Sequence, residues 1–228
     1  MTMQQLNQQS RFRRGGQRFV RHTGLAAPFV FNNVSTDVSS PGGAATGLAG
    51  VGIDTPAELA FANIRYFADG SERPDFVFNQ EQYRSASIMI VGLNYGTGSS
   101  RSGAITRPLA AWGVRVYIGE SFGPIFLTNA MQYGVLTVEL PRRTIDRIAD
   151  WVRANPGIPM TVDLERQVIE MPGLEPIPFQ TEARKRNKLL TAIDDLDEIN
   201  PHLPAARTKR AEDERERPWV YDYRSSGR

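Results

Sequence analysis

The chain has 228 residues, 40% of them hydrophobic and 23% charged. That suits one globular domain, or one and a half, with a sizeable core. It has no cysteine, which excludes disulfides. Its uninterrupted apolar runs fall well short of the roughly 20 residues of a membrane span, and the leading MTMQQLNQQSRFRRGG lacks the apolar centre of a signal peptide, so the cytoplasm is the expected compartment.

The net charge of +2 conceals an uneven distribution. Residues 1–21 carry five Arg and no acid, and residues 200–228 carry seven Lys or Arg against five Asp or Glu; the remainder is therefore at −5. The basicity lies in the ends, which weakens a nucleic-acid reading, and a glutamine-rich basic leader is expected to be a solvated, disordered arm over residues 1–18. Such a binder would also lose affinity steeply with salt.

Phe19 to Pro28 is moderately apolar and ends in proline, as an entering strand would. His22 is expected to be structural, because His202 is the only other histidine and no metal cluster can form from the two. Asn33 to Pro41 is polar and turn-like, suited to a site loop. Pro56 to Phe67 predicts a short helix leading into a strand, DGSERPD a turn, and Ile88–Met89–Ile90–Val91 a buried strand. Beyond a helix stopped by Gly113, VRVYIG alternates as a strand; SFGPIFLTNAMQYG predicts a helix capped by Ser121 and stopped by Gly134, and VLTVEL another strand. Arg143 to Asn155 places Ile145, Ile148, Ala149 and Val152 on one helical face, with Trp151 at its edge as a packing residue. MTVDL and QVIEM alternate around a polar turn and predict a hairpin. TEARKRNKLLTAIDDLDEI predicts a helix whose Arg184, Lys185, Arg186 and Lys188 form a solvated face, and Pro201 onward a mobile, charged tail ending in the aromatic RPWVYDY. The alternation of strand and helix implies an α/β fold with parallel neighbours.

The organising stretch is VGLNYGTGSSR, Val91 to Arg101, entering a helix whose first turn Ser99 or Ser100 can cap. Gly96 and Gly98 let a ligand approach the backbone, and the helix N-terminus with Arg101 makes an anion site. A P-loop is excluded because Ala104 and Ile105 stand where Lys and Ser/Thr should be; a dinucleotide fingerprint is excluded because Arg101 replaces the third glycine. Carboxylate binding with serine chemistry remains.

NYGTGSSR resembles the N-[FY]-G-x-G-S-S-R-E-H signature of the aconitase-superfamily swivel domain. With HTGLAAP, NVSTDVSSP, PDFVFNQ, SFGPIF and RANPG in order, the chain resembles the small subunits of 3-isopropylmalate dehydratase over roughly Phe19 to Ile199. The resemblance implies a mixed-sheet, swivelling β/β/α domain over residues 19–199, followed by the charged tail of residues 200–228. It implies Ser99 as the alkoxide-like base, Ser100 and Arg101 as carboxylate ligands, and Thr36 and Asp37 lining the cleft. It also implies a cluster-bearing large subunit as partner, in a two-chain hydro-lyase acting on 3-isopropylmalate or a related hydroxy di- or tricarboxylate. This chain has no thiolate to hold the [4Fe-4S] cluster, which the resemblance assigns to the partner. Two departures stand out: Ser102–Gly103 replaces Glu-His, removing a charged pair beside the site, and GGAATGLAGVG after Pro41 replaces a bulkier, substrate-selecting segment. A non-catalytic carboxylate-binding or regulatory module is the alternative that these departures leave open.

Overall fold

The computed structural model describes residues 18–39, 52–53, 55, 57–98, 107–193 and 198–221. The chain divides into two units, Met1–Ala192 and Ile193–Arg228.

In the first unit, the expected single strand from Phe19 to Pro28 is instead two, β1 (Arg21–Gly24) and β2 (Ala26–Phe29). The break at Leu25 sends them into different sheets. β2 leads a parallel sheet with β3 (Ile88–Val91), β4 (Val116–Gly119) and β5 (Leu136–Glu139), in the order β2-β3-β4-β5. Pro28 is tolerated because β2 is an edge strand, where a missing N–H disturbs no inner ladder. β3 and β4 lie between strands and are buried at every residue, which is why they read as apolar runs.

β1 leads the second, antiparallel sheet, ordered β1-β6-β7-β8 with β6 (Met160–Asp163), β7 (Val168–Glu170) and β8 (Ile177–Pro178). The predicted hairpin is the pair β6–β7. Its turn is held by the Arg166 amide donating to Asp163 Oδ1 at 2.8 Å, with Gln167 left-handed at φ 53°. Parallel and antiparallel pairings thus occur in one α/β domain but in separate sheets.

Two of the helices, Pro124–Gln132 and Arg142–Ala154, pack on strands of the parallel sheet. Between β2 and β3 come two single turns, α1 (Thr36–Ser39) and α2 (Ala62–Arg65), the latter followed by a lone bridge Tyr66↔Glu72 in place of the expected strand. α3 (Arg107–Trp112) stops at Gly113, whose φ of 107° continues into amide bonds from Gly113 and Val114 to Leu109 O. α4 (Pro124–Gln132) begins with Gly123 at the cap position and Pro124 in its first turn, and ends before Gly134 at φ 68°. Ser121 is therefore not its cap; its hydroxyl accepts from the Asn94 amide at 2.9 Å. α5 (Arg142–Ala154) buries the predicted stripe Ile145, Ile148, Ala149 and Val152 and lies across β2, β3 and β4. Each larger side chain of that stripe contributes about 1.5–3 kcal/mol on burial. Trp151 packs at the core margin, as its position predicts. His22 is likewise structural: its Nε2 lies 2.7 Å from Ser87 Oγ, and burial, then Arg115, hold its pKa below the ordinary value.

α6 (Ala183–Thr191) departs from the expected solvated basic face. Lys188 is buried, Arg186 donates to the carbonyls of Leu164 and Glu165, and Lys185 Nζ donates to Thr137 O at 2.8 Å and to Thr137 Oγ1. The long aliphatic stems cover apolar surface while the cations meet carbonyls of the neighbouring strand and turn. Burial pushes Lys185 down to about 8 from 10.5, outweighing the attraction of Glu139 and Glu182. Between those two values the unfolded chain holds a proton that the folded chain has released. Stability from this group should accordingly rise with pH from about 8 to 10.5, by roughly 3 kcal/mol at most. Urea titrations across that range should show the rise in the native protein and its loss in Lys185→Met; parallel profiles would refute it.

In the second unit, α7 (Leu203–Glu216) occupies part of the segment expected to be a mobile tail. Ion pairs Lys209–Glu212 and Arg210–Glu214, three and four residues apart, lace its surface. Asp213 accepts from Arg217 Nε and Tyr221 Oη, each at 2.7 Å, and Trp219 is 70% exposed.

Candidate active site

The organising stretch leaves β3 at the carboxyl edge of the parallel sheet, the edge where open α/β sheets bind ligands. Gly92 is the first requirement: a Cβ there would lie 2.6 Å from Phe31 O, so the two chains meet only because it has none. The Leu93 amide donates to Asn32 Oδ1 at 3.0 Å, and the Asn33 amide to Leu93 O at 2.8 Å.

Two asparagines then reverse both chains together. Asn33 and Asn94 are left-handed, at φ 55° and 54°, and Asn94 Nδ2 donates to Asn33 Oδ1 at 3.0 Å. Asparagine tolerates this region better than other side-chain-bearing residues, and here the two secure each other. The sequence signals available for them are the Asn32–Asn33 pair and the Asn94–Tyr95–Gly96 turn.

Beyond them the loop is sewn on both sides. Toward α1, the Gly96 amide donates to Val34 O and the Thr36 amide to Thr97 O, each at 2.8 Å, with a parallel bridge Ser35↔Thr97. Toward α4, the Tyr95 amide donates to Ser121 O at 3.0 Å and the Gly123 amide to Tyr95 O at 2.8 Å, with a parallel bridge Tyr95↔Phe122. Gly96 and Gly98 take φ of 74° and 104°. A Cβ on Gly98 would lie 3.5 Å from Thr36 Oγ1, which places the end of the loop directly against the start of α1.

Four of the expected site residues, Thr36, Asp37, Gly96 and Gly98, are thus brought together. Thr36 is buried and Asp37 exposed at the carboxyl edge. Ser99, Ser100 and Arg101 follow Gly98 directly in the chain and lie outside the described residues, as do the glycine-rich segment from Pro41 to Val51 and the arm over residues 1–17.

Under the loop sit Tyr95 and Tyr117, both fully buried, with ring centroids 5.4 Å apart and Phe126 packed edge-on against each. Neither hydroxyl has a well-aligned hydrogen-bond partner among the described residues, although Ser39 and the two hydroxyls are near neighbours. Burial raises both pKa values. Tyr117→Phe should therefore be neutral or stabilise the fold by up to about 1 kcal/mol, since it removes a desolvated hydroxyl. A loss of more than about 1 kcal/mol in urea denaturation would mean that internal water satisfies the pair.

Among the described residues no three or more His, Cys, Asp or Glu gather as a metal site, and no helix is long and apolar enough to cross a membrane. The donor set of this chain, without a single thiol, does not fit an iron–sulfur cluster.

A parallel sheet carrying glycine loops at its carboxyl edge, joined to a small antiparallel sheet, defines a domain of the aconitase C-terminal type. The family model described as "Aconitase C-terminal domain" matches residues 16–143, and a second, "LeuD_N", matches residues 146–182. The small subunit of 3-isopropylmalate dehydratase from Gluconobacter oxydans is 40% identical over 81% of this chain and 87% of its own length. Its counterpart from Gluconacetobacter diazotrophicus is 38% identical over 89% and 96%. A crystal structure of 3-isopropylmalate dehydratase from Methanocaldococcus jannaschii superposes with a TM-score of 0.54 at 21% identity, covering 83% of this chain and 99% of that one, and supports the fold. The chain belongs to the 3-isopropylmalate dehydratase small-subunit family.

Proposed function

We propose that this chain is the small subunit of a two-chain cytoplasmic hydro-lyase acting on 3-isopropylmalate, or a closely related hydroxy di- or tricarboxylate, in leucine biosynthesis. The observation that carries the reading is the seam between Thr36 and Thr97, which sets the STD segment beside the mouth of the GSSR loop although they are far apart in sequence. In this reading the swivel domain is residues 19–199, with a basic arm before it and a charged tail after it.

Ser99 takes the proton from the carbon next to a substrate carboxylate. The C–H electron pair becomes the new C=C bond, and the neighbouring C–O bond breaks as the hydroxyl departs. Ser100 and Arg101 hold the carboxylates, Arg101 through a planar two-point contact. Thr36 and Asp37 line the cleft and orient its polar groups. The iron–sulfur cluster belongs to the large subunit and supplies Lewis acidity there. An ordinary serine is a weak base at neutral pH, so Ser99 needs the positive end of the following helix and the Arg101 guanidinium to favour its alkoxide.

The test is anaerobic reconstitution with the cluster-bearing chain encoded nearest to it, following enoate absorbance over a panel of hydroxy di- and tricarboxylates. Turnover of one acid supports the reading and names the substrate. Silence across the panel, with complex and cluster intact, would overturn it in favour of a carboxylate-binding module.

A further inference from the structure

A cleft of about 670 Å³ opens beyond the carboxyl end of β2, within the size range of small-molecule sites, and none of the described candidate site residues, Thr36, Asp37, Gly96 and Gly98, lines it. Its walls include the rings of Phe29, Phe31, Phe76 and Tyr83. Phe29 packs edge-on against Phe31 at 4.9 Å and against Phe76 at 6.1 Å, and Phe31 remains 62% exposed. The far wall is held in place by Asn79, whose Nδ2 donates to Arg65 O at 2.8 Å and Arg73 O at 2.9 Å.

Charge decides what such a cleft accepts. Arg153 lines it but is paired with Asp150 at 2.9 Å; Arg142, which donates to the lining residue Asn32, is paired with Asp146 at 2.9 Å. Asp75 also lines the cleft, and its carboxylate has no hydrogen bond or ion pair among the described residues. Among the described residues the unbalanced charge is therefore negative, and it shares the cleft with aromatic rings, whose faces also attract cations.

We propose that this cleft is a binding site for a small organic ammonium ion carrying apolar substituents. Asp75 meets the charge, and Phe29, Phe31, Phe76 and Tyr83 enclose the substituents. An organic anion would place its charge against Asp75, and a neutral apolar molecule would forgo the attraction of that carboxylate. The cleft shares Asn32, Asn33 and Val34 with the strap that holds the loop before Ser99, but the charge it selects is opposite to that of the carboxylates proposed there.

Calorimetric titration of the full chain with choline tests this, using 3,3-dimethylbutan-1-ol as the uncharged isostere and 3,3-dimethylbutanoate as the anion. Saturable choline binding is expected, about tenfold weaker for the alcohol, about tenfold weaker in Asp75→Asn and several-fold weaker in Phe31→Ala. Both side chains are exposed, so both variants should keep the native circular dichroism. Equal binding of choline and alcohol, tighter binding of the anion, unchanged affinity in Asp75→Asn, or no saturation up to about 50 mM choline would each overturn it.

Discussion

Ser99→Ala in the reconstituted two-chain enzyme is expected to lower kcat by about three to four orders of magnitude, with substrate affinity within a few-fold of native. The asymmetry follows from the roles proposed. The methyl group of alanine can take no proton, so a step made only in the transition state disappears, while Ser100 and Arg101 still grip the carboxylates. Arg101→Lys should do the reverse: a point charge cannot reproduce a planar two-point contact, so KM should rise by about ten- to a hundredfold with a smaller fall in kcat. Steady-state kinetics paired with equilibrium binding of the substrate to the enzyme separates the two. If kcat survives in Ser99→Ala, another group takes the proton and the proposed chemistry fails. If affinity collapses along with kcat, the serine is a binding residue.

The parts of this fold that could be read in advance are those where local pattern and tertiary environment agree. The α5 stripe of Ile145, Ile148, Ala149 and Val152 and the alternating β6–β7 hairpin each have a periodicity that only one element satisfies, and the all-buried β3 is a short, largely β-branched run bounded by turn residues. The division of Phe19–Pro28 could not be read, because the two sheets demand nothing different of a short apolar run; only long-range pairing with Met160–Asp163 and Ile88–Val91 separates them. Lys185 misled for a related reason. Its spacing on α6 is that of a solvated face, and only the Thr137 carbonyl on β5 turns it inward. At the site, the glycines and the STD segment were legible as turn chemistry. What could not be read was that Ser121 serves Asn94 and that the helix starts only at Pro124 with Gly123 at its cap position, since a Ser opening an apolar run is the usual sign of a cap.

Gly96→Ala should damage the loop in two ways at once. Its φ of 74° already disfavours a side chain, at a cost of about 1 kcal/mol. The added Cβ would also lie 2.5, 2.6 and 2.7 Å from Cγ, Cδ2 and Cβ of Phe126. These are the root of that side chain, not its flexible end, and the ring is fully buried between Tyr95, Tyr117 and the stacked Phe122. Relief requires moving the first turn of α4 or the loop itself, which adds about 1–3 kcal/mol. Gly113→Ala is the internal comparison: its φ of 107° imposes the backbone cost, but nothing lies within 4 Å of its Cβ. Urea denaturation should therefore show Gly96→Ala about 2–4 kcal/mol less stable than native and Gly113→Ala about 1 kcal/mol less stable. Equal losses would mean that Phe126 yields freely. The same clash lies three residues ahead of Ser99, so whatever movement relieves it is passed along a loop tied to Val34, Thr36 and Ser121. Under conditions where Gly96→Ala remains folded, turnover should fall while Gly113→Ala keeps it, because only the first displaces the chain that carries the proposed base.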